Sequence, residues 1–435
     1  MSTSPVTPLH WIDTPASPSA GFTWGTPWPR GTVAAGSAFA LRASDGGEVP
    51  VQSWTTAVWP DGSVKWSAHS AVADDDTESL ELIVDEEPAS PATPVSVSDN
   101  DDAVIVDTGV IVATIPRSGT SIIRELERGG RLVASRGRLV SELAHHPHGR
   151  DRRPFEGEID SVAVERQGPV QVVLLITGRH TDGARRWLPF RLRLYFTAGS
   201  DRIRAVHSMV WDGDASTDFL CALGLTFDVP LDAPLHDRHI RIAGSSGFLT
   251  ESVRPVTGLW KDPGADVRAA QIAGSATPPI DEWTPVPDGL DNIRSGWDGL
   301  LGHIPAWSDW TLSQLSADGY TSRKRTGEDY GWVTIPSGGR ARGYAYLGQP
   351  TGGLELGLRG FWQSHPTQID VRDAASDVGT LTVWMWSPEA QPMDVRFYHA
   401  GVNEQTLEGQ RETVGLTYEL PFILLFLRGK SIVFS

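Results

Sequence analysis

The hydrophobic residues of this chain fall in short strand-like segments, and long windows with apolar residues at helical spacing are scarce. Three clear examples are Val104–Ile115, Val170–Ile176 and Leu188–Phe196. Gly, Asp and Ser residues that favour turns separate such segments, as in β-sandwiches and barrels. The pattern therefore predicts an all-β protein.

The stretch Trp59–Trp66 places a Pro-Asp-Gly turn between two tryptophans. Proline fixes one φ angle and glycine accepts a positive one, so the flanking segments Val51–Val58 and Val64–Val72 are predicted to pair as a hairpin. Trp59 and Trp66 then lie beside the turn. Rings in that position either pack a small core or stack on a sugar.

Two irregular regions interrupt the strand pattern. The acidic, Pro/Ser-rich stretch Asp85–Asp102 has no sustained periodicity and is typical of a linker or long loop. The second stretch, Trp260–Asp309, is rich in tryptophan, glycine and acids and is too long for an ordinary connection. Its tryptophans either form a carbohydrate-binding loop system or anchor long loops.

Composition narrows the classes of partner. The 435 residues carry a net charge of −17, from 54 acidic and 37 basic residues, which argues against nucleic acid or an anionic membrane as the main partner. The single cysteine, Cys221, excludes an internal disulfide and is predicted to be a buried, inert thiol. The start lacks a signal-peptide pattern, and no apolar run is long enough to span a bilayer. These features fit a cytoplasmic protein, or a secreted form with a misassigned start.

No cofactor or designed metal site is predicted. His145, His146 and His148 are close in sequence, but Pro147 breaks any helix that would align them. The acidic stretch Trp211–Asp218 lacks the distal glutamate of a calcium-binding loop. Phosphate-cradling glycine motifs are also missing.

Several segments together resemble the PcRGLX/YetA-like family, and their joint order is more specific than any one of them. They are Phe22–Gly31, Val51–Trp54, Trp59–Trp66, Arg193–Phe196, Val206–Ser208, Asp237–Arg241, Gly360–Thr367, Trp384–Ala390 and Pro392–Asp394. The family is named for an exo-rhamnogalacturonan lyase of polysaccharide lyase family 26. The resemblance implies an N-terminal RIFT-type barrel, a large galactose-mutarotase-like β-sandwich, and the pectin backbone as substrate class.

The resemblance also implies a domain organisation. We expect the barrel in residues 1–90 and the sandwich in 91–419. Family members usually continue into an α/α toroid, whereas residues 420–435 are mostly apolar and basic. This tail leads us to expect a truncated or misjoined reading frame, inactive alone if the toroid forms half of the cleft. A sandwich face left uncovered would predict self-association.

A lyase acting on a uronic acid must take the proton α to the carboxylate and protonate the leaving oxygen, while arginine or amide donors stabilise the enolate-like charge. The candidate catalytic residues are Tyr320, Lys324, Arg359 and His365. The candidate substrate-binding residues are Trp59, Trp66, Arg325, Trp362, Gln363, Tyr398 and His399.

Each candidate also has an ordinary structural interpretation. On a strand, Arg323 and Arg325 share one side while Tyr320 and Lys324 share the other, and a solvated strand face is the default interpretation of such a basic run. His365, before a proline, and His399 are typical of loops. Two functions therefore remain: a rhamnogalacturonan-type lyase or its incomplete fragment acting on a polysaccharide or oligosaccharide, and a non-catalytic carbohydrate-binding β protein.

Overall fold

The computed structural model describes residues 6–11, 21–75, 77–256, 262–285, 296–396 and 431–434. The chain divides into two compact units. The first unit comprises Met1–Thr114, Val162–Leu175 and Arg193–Arg204, and the second comprises Ile115–Ser161, Ile176–Leu192 and Ala205–Ser435.

Nine short strands lie wholly in the first unit. They are β1 Val6–His10, β2 Phe22–Pro27, β3 Phe39–Ala43, β4 Glu48–Val49, β5 Val51–Val58, β6 Val64–Ala71, β7 Ser79–Val84, β8 Ser96–Asp99 and β9 Ala103–Asp107. Two small antiparallel sheets form from them, with strand orders β1-β7-β3-β4 and β2-β6-β5. Their inner faces bury a shared core that includes Trp28, Phe39, Leu41 and Leu82.

The hairpin predicted around the Pro-Asp-Gly turn is confirmed. Strands β5 and β6 pair antiparallel, with Val51 opposite Ala71 and Val58 opposite Val64. Gly62 has a φ of 85°, a left-handed conformation that glycine adopts without steric cost. The local turn sequence was therefore sufficient to place this element.

Seven strands follow: β10 Ile111–Pro116, β11 Ile123–Arg128, β12 Arg131–Ala144, β13 Arg153–Arg166, β14 Gln171–Thr181, β15 Arg186–Thr197 and β16 Ile203–Met209. The predicted segment Val104–Ile115 proves to be two strands, because the chain turns at Gly109, whose φ is 86°. The other two predicted segments lie in β14 and β15.

The remaining strands are β17 Phe219–Pro230, β18 His239–Ala243, β19 Phe248–Ser252, β20 Asp309–Gln314, β21 Tyr320–Arg325, β22 Val333–Gly338, β23 Tyr344–Gln349, β24 Gly352–Leu358, β25 Thr367–Arg372, β26 Val378–Trp386 and β27 Ser431–Phe434. Two short α-helices, α1 Ala265–Ala273 and α2 Trp297–Leu301, and a 3-10 turn, Ile280–Glu282, lie among them. None of the helices in the described ranges has the length and apolar sequence that a membrane crossing needs.

Two runs of antiparallel strands, the larger and the smaller sheet, can be traced through the second unit, where β12 also pairs with β13. In the larger, neighbouring strands follow the order β11-β12-β17-β26-β25-β20-β21-β22. In the smaller, the order is β19-β18-β23-β24-β27. The sheets pack face to face: a Cβ built at Gly379 of β26 would lie 2.8 Å from a side-chain methyl of Leu347 in β23. The all-β prediction is confirmed, whereas the predicted domain boundaries stay a prediction.

The fold decides between the two interpretations for two tryptophans of the second irregular stretch. Trp283 and Trp297 are buried with Val256, Val267 and Leu301 in a small separate core. Their indole N–H groups donate to backbone carbonyls, at 2.8 Å to Pro278 and 2.7 Å to Thr284. These two rings anchor the loops, because neither has an exposed face for a sugar.

Candidate functional site

One face of the larger sheet in the second unit is polar. Strand β25 alternates Gln368, Asp370 and Arg372 with Ile369 and Val371, and its neighbours alternate in the same way. Pairing carries the polar positions across the sheet, because residues opposite each other in adjacent strands point to the same side. One such row is Arg323, Thr311, Asp370, Thr382, Thr226 and Arg138. We call this side of the sheet the polar strand face.

Asp370 lies at the centre of the polar strand face, and its carboxylate is buried. It accepts hydrogen bonds from Thr311 Oγ1 at 2.8 Å, Gln368 Nε2 at 3.0 and 3.1 Å, and Trp384 Nε1 at 2.8 Å. The guanidinium of Arg372 lies 3.0 Å from the same carboxylate. A buried charge with this many donors is fixed in place, so Asp370 holds its neighbours in one arrangement.

Three arginines converge on one indole ring at the edge of this face. The guanidinium carbons of Arg323, Arg325 and Arg372 lie 5.2, 4.6 and 5.2 Å from the ring centroid of Trp332. Cation–π attraction is effective within about 6 Å of the centroid, so all three contribute. We call Arg323, Arg325, Arg372 and Trp332 the arginine cluster.

Each arginine of the cluster already contacts a carboxylate of the protein. A ligand would therefore be bound by the N–H donors that these contacts leave unused. Arg323 bonds through Nη2 to Glu389, and Arg325 donates from Nε to Asp309 at 2.6 Å and from Nη1 to the Glu328 carbonyl. A guanidinium has five N–H donors. Among the described residues, these bonds leave Nη1 of Arg323 and Nη2 of Arg325 without an acceptor. The arginine cluster can therefore donate further hydrogen bonds to a carboxylate.

Aromatic rings lie on the same polar strand face. Trp384 is half-buried, and its Cε3 would be 2.6 Å from a Cβ built at Gly224 in the neighbouring strand. The ring can lie over β17 only because Gly224 has no side chain. Trp386, two residues further along β26, is also half-buried and donates from its indole nitrogen to the Gln391 carbonyl at 3.1 Å. Flat indole faces beside guanidinium donors are suited to bind an acidic sugar.

Tyr320 and Lys324 point to the opposite side of β21, as strand alternation predicts. Tyr320 is buried, and its hydroxyl accepts a hydrogen bond from the Ser245 amide at 3.3 Å. The Lys324 ammonium is paired with the Glu251 carboxylate and lies 4.0 Å from the Trp307 ring centroid. Both side chains are therefore engaged within the protein, and their catalytic roles stay a prediction.

Four further predicted residues lie on one loop, 359–366, between β24 and β25. Arg359 and Gln363 are exposed, and the half-buried Trp362 carries the Arg340 guanidinium 4.3 Å from its ring centroid. His365 Nδ1 lies 3.2 Å from the Trp362 carbonyl. A carbonyl only accepts, so Nδ1 carries the proton and Nε2 is the basic nitrogen of the neutral ring.

The end of this loop is tied to the polar strand face. The Pro366 carbonyl accepts from the Ser387 amide at 3.1 Å, and Ser387 Oγ donates to Gln368 Oε1 at 2.7 Å. The structure thus places Arg325 in the arginine cluster and the loop residues on an adjoining segment.

Trp59 and Trp66, the hairpin residues predicted to bind substrate, lie in the first unit and differ in exposure. Trp59 is half-buried, donates to the Trp28 carbonyl at 3.0 Å, and has the Lys65 ammonium 4.6 Å from its ring centroid. Trp66 is 41% exposed. Nearby, His69 is buried between Ser53 and Ser67, and burial lowers its pKa to about 4.

Tyr398 and His399 lie outside the described residues. Within the described ranges, no three His, Cys, Asp or Glu side chains are grouped so that they could hold a metal ion.

Sequence reasoning missed Trp332, Arg372, Asp370 and Trp384. Three of them had a visible signal, because Gln368, Asp370 and Arg372 alternate with apolar residues and Trp384 continues such an alternation on β26. Trp332 had none. Its contact with Arg372 depends on the pairing of β20 with both β21 and β25.

Two family models match this chain. The PcRGLX-like N-terminal RIFT barrel domain matches residues 5–85, and the PcRGLX-like protein central beta sandwich domain matches residues 95–420. The chain belongs to the PcRGLX-like family. This membership confirms the RIFT barrel and the central β-sandwich expected from the sequence.

A curated relative supports the same family. The chain is 31% identical over 397 residues to "Uncharacterized protein YetA" of Bacillus subtilis (strain 168), which covers 90% of this chain and 45% of that protein. The chain thus spans slightly less than half the length of this relative.

Solved structures give only distant likenesses. An alpha-mannosidase from Enterococcus faecalis V583 matches with a TM-score of 0.41 and 8% identity, over 80% of this chain and 34% of that chain. A glycosyl hydrolase family 38 protein from Enterococcus faecalis matches with a TM-score of 0.42 and 8% identity, over 80% and 35%.

Proposed function

We propose that this protein acts on rhamnogalacturonan-type pectin by β-elimination at a galacturonosyl residue, and that the arginine cluster binds the carboxylate of that residue. Family membership supports a carbohydrate-active protein. The observation that carries the finer proposal is the convergence of Arg323, Arg325 and Arg372 on Trp332. Arginine is suited to this role because its planar fork binds a carboxylate through two parallel hydrogen bonds.

Binding of the carboxylate would also favour the proposed β-elimination. Elimination begins when a base takes the proton from C5, next to the carboxylate, and negative charge moves onto the carboxylate oxygens. The electron pair then forms the C4–C5 double bond as the C4–O bond breaks, and the leaving oxygen takes a proton. Donors already in place at the carboxylate stabilise this developing charge without having to reorganise.

His365 is the proposed base. Its Nδ1 proton is held at the Trp362 carbonyl, which leaves Nε2 as the proton acceptor. The loop that carries it adjoins the polar strand face through Ser387 and Gln368. Lys324 and Tyr320 are ranked after it, because each is already engaged with protein groups on the other side of β21.

The test is release of an ultraviolet-absorbing unsaturated uronate from rhamnogalacturonan I oligosaccharides by the full chain. We expect His365→Gln to lower the rate by about a hundredfold or more, as removal of a general base does. Arg241→Gln serves as the control, because Arg241 also faces an aromatic ring, Tyr346 at 5.8 Å, but lies on the smaller sheet. A full rate with His365→Gln would exclude this residue as the base.

A second candidate function is carbohydrate binding without catalysis. The engagement of both Tyr320 and Lys324 favours it, since neither side chain is free to exchange protons with a ligand on the polar strand face. Binding of the oligosaccharides with no absorbing product would support this second function over the lyase.

A further inference from the structure

The outer face of the three-stranded sheet β2-β6-β5, in the first unit, is covered unevenly. Three successive rows cross it, centred on Ser70, Ala68 and Trp66 of β6. At the Ser70 row, Gln52 Oε1 accepts from the Val170 and Gln171 amides at 3.2 and 2.9 Å, so this end is closed by protein. The remaining two rows become progressively more open.

In the middle row, an arginine side chain covers the tryptophan ring. Trp54 lies opposite Ala68, and the guanidinium carbon of Arg166 is 3.5 Å from the Trp54 ring centroid. Arg166 donates to Gln171 Oε1 at 3.3 Å. It forms no salt bridge within the described part of the chain, so its positive charge is not neutralised by direct contact with a carboxylate.

The last row is open. Trp66 is 41% exposed, and its flanking positions are the small residues Pro27 and Ala57. Its ring lies over Gly25, because Cε3 and Cζ3 are 3.7 and 3.8 Å from a Cβ built there. This side of the indole therefore packs on the strand, while the rest of the residue stays accessible.

The indole of Trp66 lies beside Trp54, the ring that carries the Arg166 guanidinium. Trp54 and Trp66 are diagonal partners on adjacent strands, a relation that separates them by about 7–8 Å. This distance is close to the width of one pyranose ring with its substituents. A register irregularity in β5 lies between Thr55 and Ala57, beside Trp66, and bulges of this kind commonly re-aim side chains at binding sites.

We propose that Trp66 and Arg166 form a second glycan-binding site on the first unit, distinct from the polar strand face, which binds one acidic sugar residue. The apolar face of the sugar ring stacks on Trp66, and its carboxylate accepts hydrogen bonds from Arg166. The choice of an acidic sugar rests on the proposed function and on the charge of Arg166.

The test is isothermal titration of the full chain with galacturonic acid oligosaccharides and, for comparison, neutral galactan oligosaccharides. Trp66→Ala should abolish binding at one of two sites or weaken its affinity by about tenfold. This is the effect expected when one aromatic contact with the sugar is lost. Arg166→Gln should weaken only the acidic ligand. Phe248→Ala, which removes an aromatic residue 61% exposed in the second unit, should change nothing.

Repeating the titration in an Arg323→Gln background separates this site from the polar strand face. Binding that remains in the Arg323→Gln background and disappears with Trp66→Ala supports the site formed by Trp66 and Arg166. Unchanged affinity and stoichiometry in Trp66→Ala would overturn it alone, whereas absence of binding by the unaltered protein would overturn both proposals. Amide exchange in the unaltered chain is an independent check, because bound ligand must slow exchange in β5 and β6 if the site is there.

Discussion

Replacement of Asp370 by asparagine is the sharpest test of how the polar strand face is held together. All the groups facing this carboxylate are donors: a hydroxyl, an amide N–H, an indole N–H and a guanidinium. Asparagine has the same shape but replaces one acceptor oxygen with a donor. Whichever oxygen is replaced, two hydrogen bonds are lost, since Oδ1 accepts from Thr311 and Gln368 while Oδ2 accepts from Gln368 and Trp384.

The magnitude follows from those contacts. A hydrogen bond to a charged group contributes about 1.5–3 kcal/mol, so loss of two should cost about 3 kcal/mol or more of unfolding free energy. Urea denaturation followed by tryptophan fluorescence measures this value. Asp377→Asn is the matched control, because its side chain is fully exposed and lies 3.9 Å from Arg238, and it should leave the midpoint unchanged. Equal midpoints for Asp370→Asn and the unaltered chain would refute the reasoning.

Three further predictions concern other contacts. Burial holds the pKa of His69 at about 4, below the ordinary histidine value of 6.5, so the unfolded state binds the proton more tightly. Stability should therefore be full above pH 6.5 and fall by about 3 kcal/mol as the pH drops to 4, and urea midpoints in His69→Gln should lose that part of the pH dependence. Gly224→Ala places a methyl group 2.6 Å from Trp384 Cε3, so it should cost about 1–3 kcal/mol in denaturation and weaken oligosaccharide binding; unchanged stability would contradict the close packing. Lys324→Gln leaves the Glu251 carboxylate without its cation and should cost about 2 kcal/mol, while a rate loss at full stability would instead make Lys324 catalytic.

Local signals explain what could be predicted from the sequence. The hairpin follows from Pro60 and Gly62, whose backbone preferences act within a few residues. Strand alternation placed Arg323 and Arg325 on one side and Lys324 on the other before any partner was known. The break at Gly109 was missed, because the apolar pattern continues through the turn.

The partners of those side chains could not be predicted. Glu251 is 73 residues from Lys324 in sequence, and Glu389 is 66 residues from Arg323. Such pairs are created by strand order, which one sequence does not encode in any local pattern. The basic strand could therefore be predicted as a candidate site, but whether its cations are free or paired could not.

The measurement that tests the central claim most directly compares rhamnogalacturonan I oligosaccharides with the same oligosaccharides after reduction of the carboxyl groups to alcohols. If the arginine cluster binds the uronate carboxylate, the unaltered chain should prefer the acidic form by about tenfold or more, and Arg323→Gln should lose most of that preference while Arg241→Gln keeps it. Equal loss of affinity for both ligands in Arg323→Gln, or an undiminished preference, would contradict the account.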